Sequence, residues 1–203
     1  MTTQSHTAET SAPIHEILSE RWSPRAFDPR PVEPEKLRSL FEAARWAASS
    51  FNAQPWYFIV ATKDDSENYR KVLESFVEFN QGWAKNAPAV GLSVARLNFE
   101  HNSQANRHAF HDVGQAAANL AVEATALGLQ VHQMAGILPE KARELFEIPT
   151  GYEAVAGFAL GYPGSPESLP QQLKERELGQ RTRKPLASFV FSGKWGDTAG
   201  FAK

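Results

Sequence analysis

The sequence predicts an α+β domain, with several helices around a modest sheet. Segments with a 3.6-residue apolar period and short apolar runs of strand length both occur, and they alternate only loosely. No segment repeats. The chain has 203 residues, 42% hydrophobic and 22% charged, enough for one domain with a real core.

Met1 to Ala12 is polar, rich in Thr and Ser, and reads as a flexible tail without a hydrophobic signal core. Residues 13–195 form the single domain. Pro13 to Glu20 is a short helix with Ile14, Ile17 and Leu18 on one face. Arg21 to Pro34 carries four prolines and is a loop by its breakers. Glu35 to Ala48 is a strong helix. Its Leu37, Leu40, Phe41, Ala44 and Ala48 keep the helical period, and Pro34 suits the first turn.

Trp56 to Ala61 reads as a buried strand, and Ser66 to Phe79 as one amphipathic helix built on Tyr69, Val72, Leu73 and Phe76. Ala87 to Ala95 is another strand, and Leu97 to His108 has no period. Asp112 to Leu127 is apolar around more than one stripe, which places it at the centre, and Gly128 is its C-cap. Leu129 to Gln133 is a strand, Pro139 to Glu147 a short helix, and Ala154 to Tyr162 a strand ending in a Gly-Tyr-Pro-Gly turn. Ser165 to Arg183 is a long polar connection. Leu186 to Phe191 is extended, and the chain from Gly193 on reads as a tail, with 196–203 outside the domain.

Several function classes are excluded. Lys plus Arg is 21 and Asp plus Glu 23, a net charge of −2, which is no footprint for nucleic acid or an anionic membrane. There is no cysteine, so disulfides, thiolate nucleophiles and iron–sulfur ligation are absent. No apolar run approaches a membrane span, which makes a cytoplasmic protein the default. G-x-G-x-x-G, the P-loop, H-E-x-x-H and G-x-S-x-G do not occur. His108 and His111 stand at i and i+3. Without a Cys or Glu at ligand spacing they read as a polar helix start, and no metal is expected.

Four short pieces carry chemistry. Arg21-Trp22-Ser23-Pro24-Arg25-Ala26-Phe27 offers guanidinium forks and a hydroxyl suited to phosphate; by itself it also fits two solvated arginines at a turn. Ala48-Ser49-Ser50-Phe51-Asn52-Ala53-Gln54-Pro55-Trp56 places small polar side chains between a helix and a strand. Helix termination before a proline would produce the same residues. Gln133-Met134-Ala135-Gly136-Ile137 allows a close backbone approach to a ligand, or is an ordinary turn. Arg181-Thr182-Arg183-Lys184-Pro185-Leu186 puts three cations within four residues, otherwise a solvated basic patch.

In this order and at this spacing the four pieces resemble the nitroreductase family of FMN-dependent oxidoreductases. The Ala126-to-Leu129 end of the central helix reinforces the likeness, which covers roughly Ile14 to Trp195. The resemblance implies a mostly antiparallel central sheet surrounded by helices. It also implies a homodimer with FMN at the subunit interface and a C-terminal extension exchanged across it. Phe189, Phe191 and Trp195 would belong to that extension, although packing on their own subunit would equally explain them.

The resemblance further assigns residues. Arg21 and Ser23 match contacts to the phosphate and ribityl end of the cofactor, with Arg181 and Arg183 as a second phosphate-binding pair. Arg25 matches the basic position that tunes the pyrimidine edge of the ring, and Asn80 a polar residue on that edge. Ser49, Ser50 and Asn52 match contacts from the neighbouring subunit, and Ala135 and Gly136 the backbone facing flavin N5. Trp22 lies within the phosphate loop, and no side-chain bond is assigned to it. Relatives often carry an acidic residue at the position of Ala135, so only a backbone role survives here.

The implied function is a ping-pong cycle. NADH or NADPH gives hydride to FMN, and a small organic acceptor (a nitroaromatic, a quinone or similar) then takes the electrons. No catalytic side chain is required. Two other readings stay open: a narrow enal, enone or semialdehyde reductase or a dehalogenase on the same fold, and a flavin-binding protein without turnover. Phe99, His101, His108 and Phe110 are candidates to line the acceptor pocket.

Overall fold

The computed structural model describes residues 6–202; Met1 to Ser5 of the expected tail, and Lys203, lie outside them. A four-stranded antiparallel sheet in the order β1-β2-β4-β3 forms the middle layer. Its strands are β1 (Trp56–Thr62), β2 (Ala89–Arg96), β3 (Gln130–Met134) and β4 (Tyr152–Gly161). Around it, in chain order, lie α1 (Glu16–Glu20), α2 (Pro34–Arg45), α3 (Ser66–Glu74), α4 (Glu78–Ala84), α5 (Ala109–Ala126), α6 (Pro139–Phe146) and α7 (Gln171–Glu177).

The two-residue period of the strands sorts side chains onto two faces. Phe58 and Val60 of β1 and Phe158 and Leu160 of β4 join Leu40 and Ala44 of α2 and Ala116, Leu120 and Ala124 of α5. Ile59 and Ala61, with Val90, Leu92 and Val94, pack with Tyr69 and Val72 of α3, Trp83 of α4 and Ala142 of α6. Because both faces are covered, β2 is buried along nearly its whole length. The small, apolar α5 sits against the sheet as its composition requires, and Gly128 follows it at a φ of 75°. Among the described residues no helix is long and apolar enough to cross a membrane.

Three expectations of local structure need correction. The helix expected over Ser66 to Phe79 ends at Glu74, and a separate α4 begins at Glu78. Between them Phe76 bridges Ile137, the Val77 N–H donates to Gly136 O, and the Leu138 N–H donates to Ser75 O. Tertiary pairing replaces helical bonds where no proline or glycine marks the break. Second, the polar connection 165–183 contains α7. Third, Leu186 to Phe191 is not extended: Leu186–Ser188 forms a 3-10 turn after Pro185, and Phe191 pairs with Thr198 in an isolated bridge. Within 196–202 the chain is folded, with Ala199 and Ala202 buried.

Candidate functional site

The loop from Arg21 to Ala26 contains a proline and makes no strand ladder of its own, so its main-chain groups need partners from elsewhere. They find them residue by residue. Two Arg181 nitrogens donate to carbonyls: Nη2 to Arg21 O at 2.8 Å, and Nη1 to Ser19 O at 3.2 Å and to His6 O. The Trp22 N–H donates to Gln130 Oε1, 3.1 Å, and His132 Nδ1 lies 2.8 Å from Pro24 O. Glu177 Oε1 accepts from the N–H groups of Arg25 and Ala26, each at 2.9 Å, and Oε2 accepts again from Arg25 at 3.0 Å. β3 and the end of α7 thus set the path of the loop.

With the backbone held, side chains gather at one cavity of about 170 Å³ bordered by Arg21, Ser23, Arg25, Arg181 and Arg183. The two arginine pairs, about 160 residues apart in sequence, border this one cavity. Arg21 Nη1 reaches Ser23 Oγ at 3.3 Å. Burial, then the charges of Arg181 and Arg183, lower the Arg21 pKa; burial and Arg183 do the same to Arg181. None of these four arginines forms a side-chain ion pair with a described carboxylate. Such a cluster gains most from an anion. A longer groove of about 480 Å³ shares Arg21, Arg181 and Arg183, and Ile14, Leu18, Leu186 and Phe189 give it an apolar wall.

Arg181 differs from the expectation in one respect. Both of its Nη atoms serve carbonyls, so it works first as the tie between the C-terminal segment and the loop. Arg183 is exposed, and among the described residues its side chain donates to its own neighbour's carbonyl at Thr182.

From Arg25 the site continues inward. Arg25 Cζ lies 5.9 Å from the Trp83 ring, and its buried Nε has no hydrogen-bond partner among the described residues. Trp83 Nε1 donates to Asn80 Oδ1 at 3.3 Å, and Asn80 Nδ2 donates to Gly136 O at 3.0 Å. The residues expected at the ring edge and near N5 are therefore in one connected row. Asn80 spends its oxygen and one N–H on that row, which makes it a brace for the Ala135-Gly136 turn. A Cβ on Gly136 would fall 2.4 Å from Asn80 Nδ2. The close approach expected of this glycine is made by the protein's own amide.

Ser49, Ser50 and Asn52 do not border the arginine cavity. Ser49 Oγ accepts from the Gln54 N–H at 3.0 Å, and the Ser50 N–H donates to Asp112 Oδ2 at 3.0 Å. Phe51, Asn52 and Gln54 all have positive φ, between 45° and 53°. A buried carboxylate at the start of α5 thus anchors a turn with three left-handed residues in four. Phe51 stands almost fully exposed beside Phe99 and His101, at ring-centroid distances of 5.9 and 6.5 Å.

Sequence reasoning missed Glu177, Gln130, His132 and Asp112. Each is a polar residue within a regular element, where composition gives no sign that the side chain points at a distant loop. Only Glu177 left a trace, being spaced i+4 from the buried Leu173 on an otherwise polar helix.

The Nitroreductase family model matches residues 18–91 and 69–162. The chain belongs to the nitroreductase family. A crystal structure described as an oxidoreductase containing FMN superposes with a TM-score of 0.87 at 35% identity, covering 98% of this chain and 100% of that one. The major NAD(P)H-flavin oxidoreductase of Aliivibrio fischeri is 28% identical over 215 residues, 81% of this chain and 96% of that protein. An uncharacterised 15.4 kDa protein of Mycolicibacterium smegmatis is 36% identical over 91 residues, 45% of this chain; the match spans 61% of its length. In this nitroreductase-family chain Glu177, Arg181 and Arg183 lie beyond the span of the family match.

Proposed function

We infer that this member of the family is an FMN-dependent oxidoreductase. It takes hydride from NADH or NADPH and passes the electrons to a small organic acceptor such as a nitroaromatic or a quinone. The observation that carries the reading is the convergence of Arg21, Arg181 and Arg183, none of them ion-paired with a described carboxylate, next to the buried Nε of Arg25, which has no partner among the described residues. That donor set fits a molecule with a dianionic phosphate at one end and an electron-accepting ring at the other. Bound FMN would supply the hydride chemistry.

The chain's own groups bind and orient. Arg21, Ser23 and Arg183 hold the phosphate end, and Arg181 keeps Arg21 and the N-terminal segment in register. Arg25 presents its cation to the pyrimidine edge. The brace from Trp83 through Asn80 to Gly136 fixes the backbone assigned to the N5 side. Ser49, Ser50 and Asn52, displaced from the arginines within one subunit, serve the cofactor of a partner in a homodimer, a role supported by the anchored turn that presents them.

Titration of the apo-protein with FMN, followed by flavin absorbance and fluorescence, tests the assignment. Hydrogen bonds to charged groups contribute about 1.5–3 kcal/mol each, so Arg21→Ala and Arg183→Ala should each weaken FMN binding roughly ten- to a hundredfold. Lys63→Ala and Lys174→Ala should leave it unchanged; equal loss in all four would dismiss the phosphate site. Anaerobic addition of NADH and NADPH should bleach the bound flavin, and a panel of acceptors should restore the colour. Sedimentation should give about twice the 22.5 kDa of the chain; a flavin-binding monomer would defeat the shared site.

A further inference from the structure

Glu177 is 4% exposed and forms no salt bridge with any described residue. Its carboxylate is spent on main-chain N–H groups: two bonds from Arg25 and one from Ala26, all between 2.9 and 3.0 Å. The guanidinium of the same Arg25 is left uncommitted, with Nε buried and unpartnered. One residue thus has its backbone held by a negative charge while its positive side chain faces the cavity. A buried carboxylate aimed at a loop, where an amide or a hydroxyl would serve as an acceptor, is costly unless the charge itself is used.

We propose that Glu177 is a positioning residue: it fixes Arg25 at the flavin ring and, as the counter-charge to Arg25, sets how readily that ring takes up electrons. The proposal rests on the FMN reading above. Hydride uptake brings two electrons and one proton and adds one negative charge to the ring. Arg25 favours that product, and the carboxylate of Glu177, which borders the same cavity, opposes it. With both present, the reduced cofactor stays able to give its electrons away in the second half-reaction. Burial raises the Glu177 pKa, while the N–H groups of Ala26 and Arg25 and the Arg25 charge pull it back. Burial likewise lowers the Arg25 pKa, and Glu177 raises it.

The test is the two-electron midpoint potential of bound FMN, measured anaerobically against a reference dye, with the FMN dissociation constant alongside. Glu177→Gln keeps an acceptor oxygen for the Arg25 and Ala26 N–H groups and removes the charge. It should shift the reduction equilibrium about tenfold toward the reduced form, about 30 mV upward. Glu177→Asp keeps the charge one methylene further back. It should hold the equilibrium within about threefold of wild type while weakening FMN binding. Arg25→Met should shift the equilibrium the opposite way from Glu177→Gln.

An unchanged potential in Glu177→Gln overturns the proposal, as does an equal shift in the Gln and Asp variants. Should Glu177→Gln not retain FMN, the isosteric pair Glu177→Asn and Glu177→Asp decides: a higher potential in the Asn variant supports the proposal, and equal potentials overturn it. A wild-type protein that takes up no FMN would instead bring down the preceding reading, and this inference with it. The two failures are therefore distinct.

Discussion

Acidification should loosen the loop from Arg21 to Ala26 through His132. Its Nδ1 lies 2.8 Å from Pro24 O, an atom that can only accept, so the neutral ring carries its proton on Nδ1, and Nε2 is the site of further protonation. The ring packs 4.5 Å from Trp83, with Arg25 and Arg21 nearby. Burial above all, then those two cations, push its pKa down from 6.5 to about 4, against the opposing bonds to Pro24 and Ser23. The folded protein therefore prefers the neutral ring. Its contribution to stability is complete above about pH 6.5, where the unfolded chain is also neutral, and is lost as the pH falls toward 4. A displacement of roughly 2.5 pH units at 1.36 kcal/mol each gives an upper bound of about 3 kcal/mol, and about 2 kcal/mol after allowing for water at the ring edge. His132→Asn retains a donor for Pro24 and cannot titrate. Urea unfolding of the apo-protein at pH 7.5, 6, 5 and 4 should show wild type losing about 2–3 kcal/mol more than His132→Asn over this range. Parallel curves, within about 0.5 kcal/mol at every pH, would refute the reasoning.

Gly136→Ala should destabilise by about 1–3 kcal/mol and weaken FMN binding, because its Cβ would strike Asn80 Nδ2 and Val77 Cγ2; thermal unfolding with and without FMN checks both effects. Tyr69→Phe should cost about 1–2 kcal/mol in urea, since the buried hydroxyl lies 2.6 Å from the Ala87 carbonyl that would lose it. Asp112→Ala removes the acceptor of the Ser50 N–H. It should cost about 1–3 kcal/mol and, in the dimeric reading, weaken FMN binding more than Tyr69→Phe does.

What the chain revealed directly follows from periodicity and residue chemistry. α5 shows itself because alanines and leucines cover more than one face, and it packs where such a helix must. β1, β2 and β4 show themselves as apolar runs because both faces of the sheet are covered. The arginines at the two ends of the chain could be marked as candidate anion ligands, because guanidinium chemistry is local to the residue. The break at Ser75 was not legible, because the competing partner of the Val77 N–H is a carbonyl 59 residues away, at Gly136.

The sequence by itself determined the sheet strands, the central helix, the α+β class and a set of cations suited to phosphate, since each depends on side-chain size, polarity and spacing along the chain. Only the tertiary structure decided that Arg181 is first a tie, that Asn80 is a brace, and that Glu177 and His132 hold the loop. The physical reason is that an unpaired main-chain group in a loop takes whichever polar side chain the packing of distant helices and strands brings within 3 Å, and no local pattern records that choice.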